Sequence, residues 1–158
     1  MKISIGSDHA GFEQKQALVE YLTEKGYEVL DRGPETDERV DYPDYAIKVA
    51  MDVSFGRAER GILVCGTGIG MAIFADKIVR IRCANVTIPE FATLCRQHNN
   101  ANVITLSGRF IDLDTNKQIV DNFLTTEFED EGDPFGRHAK RLAKLGNIEA
   151  AALKRGSL

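Results

Sequence analysis

The chain has no tryptophan, only four prolines and three cysteines among 158 residues, and no apolar run close to the ~20 residues that a membrane-spanning helix needs. Cys65, Cys83 and Cys95 are odd in number and form no CxxC pair. A disulfide framework is therefore not expected, and the pattern is that of a reduced, cytoplasmic protein. Positive charge is also scarce: Lys plus Arg is 20 against 24 for Asp plus Glu, a net charge of −4. An acidic chain gains nothing from counterion release, so neither nucleic acid nor an anionic membrane is an expected partner. Met1 to Ile5 reads straight into a strand, without the apolar stretch and cleavage site of a signal peptide. Hydrophobic residues at 43 % and charged residues at 28 % are globular values. At roughly 150 residues per domain, the length suits one domain spanning 1–158.

Short apolar runs alternate with helical patterns over most of the chain. Strands are expected at Ile3–Gly6, Tyr27–Leu30, Gly61–Cys65, Ile81–Val86 and Asn102–Leu106. Helices are expected at Ala10–Lys25, Asp44–Phe55, from the glycine loop to about Lys77, at Pro89–His98 and at Asp112–Phe123. Gly26 and Gly56 stop two of these helices, and Pro43 starts one. Five strands alternating with helices predict an α/β fold, a three-layer Rossmann-like sandwich around a five-stranded parallel sheet. Five acids then crowd into Glu127–Asp133, broken by Gly132, Pro134 and Gly136, and a basic helix follows over 137–155. The charge reversal marks 127–136 as an acidic linker to a C-terminal helical arm that packs on a neighbouring surface.

In such sheets ligands collect beyond the carboxyl ends of the strands. The sequence places Asp8 and His9 after strand one, Cys65 and Gly66–Gly70 after strand three, and Arg109 after strand five. Glycine at alternate positions of Gly66–Gly70 lets backbone amides form an anion-binding nest, although a plain strand-to-helix turn has the same spacing. The loop matches neither the Walker nor the dinucleotide pattern, since no Lys-Ser/Thr follows and position 71 is methionine. Cys65 is either a thiolate at a helix N-terminus, able to act as base or nucleophile, or an inert core thiol. His98-Asn99 ends a helix. Cys95 and His98 have ligand-like spacing but no second pair, so no metal is expected. Arg137 and Arg141, four residues apart, share a helix face that suits either a phosphate or plain solvation.

Five segments occur in order: Ser7-Asp8-His9-Ala10-Gly11-Phe12, Asp41-Tyr42-Pro43-Asp44-Tyr45-Ala46, Cys65-Gly66-Thr67-Gly68-Ile69-Gly70-Met71, Arg96-Gln97-His98-Asn99-Asn100-Ala101-Asn102 and Gly136-Arg137-His138. Together they resemble the type B ribose-5-phosphate isomerases over residues 1–145. The resemblance implies interconversion of ribose 5-phosphate and ribulose 5-phosphate through an enediolate, without metal or organic cofactor. It also implies a homodimer, or a dimer of dimers, with sites shared at the interface.

Carried over by position, Cys65 is the base that moves a proton between C1 and C2. Thr67 assists proton movement on the oxygens, and His98 opens the furanose ring. The amides of Gly66, Gly68, Ile69 and Gly70 hold the developing oxyanion. Asp8 and Asn99 contact sugar hydroxyls, and Asp41 helps ring opening, with Tyr42 beside it on the substrate-binding segment. His9, Arg137 and Arg141 contact the phosphate, and Arg109 is a further substrate-binding position. Some relatives carry a carboxylate base on the glycine loop; Met71, taken as that position, cannot serve. Related isomerases of allose 6-phosphate or galactose 6-phosphate share this chemistry, and a non-catalytic sugar-phosphate-binding module would need the nest and arginines alone.

Overall fold

The computed structural model describes residues 1–129 and 136–154. The strands are β1 (Lys2–Ser7), β2 (Glu28–Asp31), β3 (Arg60–Cys65), β4 (Cys83–Asn85) and β5 (Val103–Ser107). The helices are α1 (Phe12–Glu24), α2 (Pro43–Ser54), α3 (Ile69–Ala75), α4 (Pro89–Asn99), α5 (Leu113–Thr125) and α6 (Arg137–Lys154). All pairings are parallel, in the order β2-β1-β3-β5-β4. This is the expected α/β sandwich.

Alternation along the central strands fills both faces. Ile62 and Val64 of β3 join Leu18 and Leu22 of α1, Ala92 of α4 and Ile119, Val120 and Phe123 of α5. Leu63 and Cys65 turn to the other side, with Ala46, Val49 and Ala50 of α2 and Met71 and Ala75 of α3. A strand covered on both sides is apolar at successive positions, which is why β3 reads as a continuous run. β4 is shorter than expected. It pairs only with β5, over Cys83–Asn85, and the residues before it are held in a turn at Arg80, whose φ is 69°. Burial pushes the Cys95 thiol up to about 11 and the Cys83 thiol higher still, which disfavours the thiolate at both. Residues 130–135 of the acidic linker, and residue 155 of the expected arm, lie outside the described residues.

Two charged groups inside the sandwich are fully paired. Lys15, 1 % exposed, donates to Asp31, to the Gln16 side chain and to the Pro34 carbonyl. It thereby ties α1 to the segment after β2, whose Gly33 carbonyl also accepts the Ser7 amide at 2.9 Å. Asp52 of α2 is buried and accepts from Ser4 of β1 at 2.8 Å and from Arg32 and Arg57. Burial works to raise its pKa, but the hydrogen bonds from Arg32, Ser4 and Arg57 outweigh it and hold the carboxyl below its usual range.

A carboxylate whose folded pKa is depressed adds stability above its unfolded pKa and loses it as pH falls through the folded value. Asp52→Asn is expected to cost roughly 2 kcal/mol at neutral pH, less than for a fully buried ion pair because Arg32 and Arg57 can return to water. In chemical denaturation the gap between wild type and variant should close below the ordinary carboxylate range. A gap that does not narrow as the pH falls below that range would show that the ion pairs are not its source.

Candidate active site

Strand order reverses between β1 and β3, since the chain steps from β1 outward to β2 and then returns to β3 on the other side of β1. The crevice at such a switch point, beyond the carboxyl ends of the strands, is where open α/β sheets hold ligands. Asp8 and Cys65 stand at those ends. The Asp8 amide donates to Val64 O at 3.1 Å, and Gly108 N donates to Cys65 O at 2.8 Å, so three strand ends are knitted together. The approach is close: a Cβ on Gly11 would lie 2.3 Å from Val64 O.

Cys65 is 5 % exposed, and its Sγ accepts a hydrogen bond from the Gly68 amide at 3.1 Å. That amide points back at the sulfur because Gly68 is left-handed, with φ +82°, and caps the N-terminus of α3. The sulfur thus sits at the strand end with a backbone donor aimed at it. Thr67 Oγ1 accepts the Ile69 amide at 3.3 Å, which leaves its own proton to donate. The Tyr42 ring lies against Gly70, where a Cβ would come 3.0 Å from it, and the Arg109 side chain lies over Gly66. Asp8 Oδ1 accepts the amides of Ala10 and Gly11, which fixes the carboxylate, and His9 Nδ1 accepts the Val40 amide at 3.4 Å. Asp41 is exposed just before α2.

This edge of the sheet thus brings together Asp8, His9, Tyr42, Cys65–Gly70 and Arg109. Met71 is wholly buried among α2 and β3 residues, whereas Ile69 is 53 % exposed. Position 71 therefore faces the core, and Ile69 is the loop side chain that faces outward. Both are apolar, so no loop carboxylate competes with Cys65.

The remaining site residues lie elsewhere. α4 begins just after β4 and runs back for 11 residues, about 16 Å, towards the start of β5. Its end is tied to the amino edge of the sheet, since Asn102 O accepts from Gly61 N and the Asn102 side chain from Arg82 N. From the level of Gly61 to Cys65, β3 rises about 13 Å. His98 and Asn99 are therefore at the opposite edge from Cys65 in the same chain.

A second cluster forms there. Buried Arg96 donates to the Asn100 side chain, to Ala101 O and to Thr126 O, and Glu129 N donates to Gln97 O. The segment after α5 is thereby laid against the end of α4. His138, in the first turn of α6, stacks on His98 with ring centroids 4.5 Å apart and planes 6° from parallel. Arg137 precedes it, and Arg141 is one turn further on; both are exposed.

Donor atoms of His98, Glu129 and His138 lie within 4.8 Å of one another, a ligand set familiar for zinc. An imidazole binds a metal in its own plane, however, and parallel rings cannot share one ion unless a ring turns. Sequence reasoning did not foresee this grouping of His98 with Glu129 and His138, because residues so far apart in the chain give no spacing signal.

The sequence profile described as ribose/galactose isomerase matches residues 3–145. Ribose-5-phosphate isomerase B of Escherichia coli strain K12 is 43 % identical over 148 residues, 94 % of this chain and 96 % of that protein. Ribose-5-phosphate isomerase B of Clostridium thermocellum superposes with a TM-score of 0.90 at 45 % identity, over 96 % of this chain and 99 % of that one. The Mycoplasma genitalium enzyme, solved with bound ribulose-5-phosphate, superposes with a TM-score of 0.88 at 41 % identity, over 94 % and 96 % of the two chains.

Gly68→Ala would set a Cβ 2.4 Å from Asn85 Oδ1 and would strain the left-handed φ. Turnover is expected to fall about 100-fold, because misplacing a catalytic contact by an ångström costs that much, with a much smaller drop in melting temperature. Unchanged turnover would remove the Gly68 amide from the site. With a match over nearly all of its length, a sulfur held by a backbone amide at the switch point, and relatives above 40 % identity, the chain belongs to the ribose/galactose isomerase family.

Proposed function

We propose that the protein interconverts ribose 5-phosphate and ribulose 5-phosphate, and that each active site is built from two copies of the chain. The observation that carries the first part is the Cys65 sulfur in reach of the Gly68 amide at the strand-order reversal. In the open-chain aldose the Cys65 thiolate takes the proton from C2. The electron pair forms the C1–C2 double bond, and the carbonyl π electrons move onto O1. Loop amides hold that oxyanion, a contribution typically worth about 3 kcal/mol per donor. Thr67 passes a proton between the two oxygens. The thiol then returns its proton to C1, giving the ketose and restoring the thiolate. Nothing is oxidised or lost, so the cycle needs no cofactor. Asp8 contacts a sugar hydroxyl and Asp41 and Tyr42 border the sugar, while His9 and Arg109 face the phosphate.

The shared site rests on the polarity of α4, which puts His98 and Asn99 on the edge opposite Cys65. With Arg137 and Arg141 they complete the site of a partner copy: His98 opens the ring, Asn99 contacts the sugar and the arginines hold the phosphate. Apolar side chains near the loop in sequence are uncovered, with Ile69 53 %, Ile73 one turn further along α3 61 % and Phe110 next to Arg109 78 % exposed, as expected of a surface closed by a second protomer. No helix among the described residues is long and apolar enough to cross a membrane, and a cytoplasmic location fits the reduced cysteines.

With chelator present, the purified protein should convert ribose 5-phosphate faster than allose 6-phosphate or galactose 6-phosphate. Loss of activity on adding chelator, or a preference for a hexose, would contradict the reading.

Two separately inactive variants test the partition of roles. Cys65→Ala should abolish both isomerisation and solvent-deuterium exchange at C1 of ribulose 5-phosphate. His98→Asn should lose isomerisation and keep the exchange, because that ketose has no ring to open when O5 carries phosphate. Unfolded together and refolded as a mixture, the two should regain about a quarter of wild-type activity, since half the dimers then hold one intact site of two. No recovery would show that Cys65 and His98 work within one chain.

A further inference from the structure

We infer that His138 is the positioning residue for His98, so that the docking of the C-terminal helix sets the orientation of the ring-opening imidazole. The inference rests on the proposed role of His98. His98 sits in the last turn of α4, partly exposed, and among the described residues no hydrogen bond is formed to its ring. A histidine so placed can rotate about two side-chain bonds. What covers one ring face is the His138 imidazole, at 4.5 Å and 6°, a separation at the close end of aromatic contacts.

His138 is itself held. It is 4 % exposed and is the one buried residue of α6, a helix whose other side chains are largely open to water. The backbone of Glu129, in the segment laid against the end of α4, is fixed to Gln97 one residue from His98. A fixed ring thus lies parallel to one that is otherwise unrestrained, and the opposite face and edge of His98 are left for substrate. Arg137 is the next residue along, so the same docking places a phosphate-binding arginine and the acid together.

Three substitutions read this out. His138→Ala removes the stacking face, and isomerisation should fall about tenfold, the ratio that an aromatic contact of this kind supports between oriented and free rotamers. Deuterium exchange at C1 of ribulose 5-phosphate should stay within about twofold of wild type, because ring opening is not required for it. His138→Phe restores a flat ring and should recover most of the lost isomerisation. Glu129→Gln keeps both rings and should leave both rates unchanged.

If His138→Ala loses exchange and isomerisation equally, the residue acts on proton transfer or on binding as a whole, and the inference fails. It also fails if His138→Ala is fully active or if phenylalanine rescues nothing while melting with the wild type. A His98→Asn variant that isomerises normally would instead overturn the role of His98 itself, a different result from any of these.

Discussion

One short contact organises the strand-end crevice of the molecule: an amide of a left-handed glycine turned back onto a sulfur. For Gly68 N to reach Cys65 Sγ, the chain must reverse its backbone hand directly after a fully buried strand. The strand must end level with its neighbours, which the bonds from Asp8 N to Val64 O and from Gly108 N to Cys65 O ensure. The interior is too dense to allow much adjustment. Packing on the α2 and α3 side thus fixes the Cys65 sulfur in place, and Cys65 belongs to the core and to the strand-end crevice at once.

The second constraint is directional. In a parallel sheet every connecting helix runs back, so residues at a helix end arrive at the edge away from the strand ends. His98 and Cys65 obey this rule and are separated by it. The fold places Cys65 and His98 of one chain at opposite ends of the sheet, and under the proposed function it is a symmetric partner that brings them together. α6 extends the same logic, since its single buried residue is at its start and the rest is offered outward. A groove of about 850 Å³ between α6 and the turn before β4, lined by Ile78, Ile81, Leu142, Leu145 and Ile148, leaves still more apolar surface uncovered.

The order of elements was legible because apolar periods differ between strand and helix, and because Gly26, Gly56 and Pro43 mark boundaries. The switch-point residues were legible because a strand end is a fixed place in this architecture. What could not be read depends on tertiary contact. The stack of His138 on His98 and the lie of Glu129 against Gln97 have no local signature. Which loop side chains turn inward was not legible either, since the alternation changes phase where a turn passes into a helix: Met71 is buried and Ile69 exposed. β4 came out short because an edge strand pairs on one side only, and its apolar flanks serve packing instead.

The edges of the sheet limit how copies of the chain can meet. β4 is three residues long, and β2 ends in Asp31, which is committed to Lys15, while Glu28 at its other end pairs with Lys2. Neither border offers a long, flat ladder of unpaired backbone groups, so the sheet does not invite continuation into another chain. In the proposed dimer, contact is then left to side chains on loops and helix ends, where a residue can cross from one molecule into the next. A fold that closes its own β borders in this way leaves contact to the surfaces that carry function, and ties assembly to them.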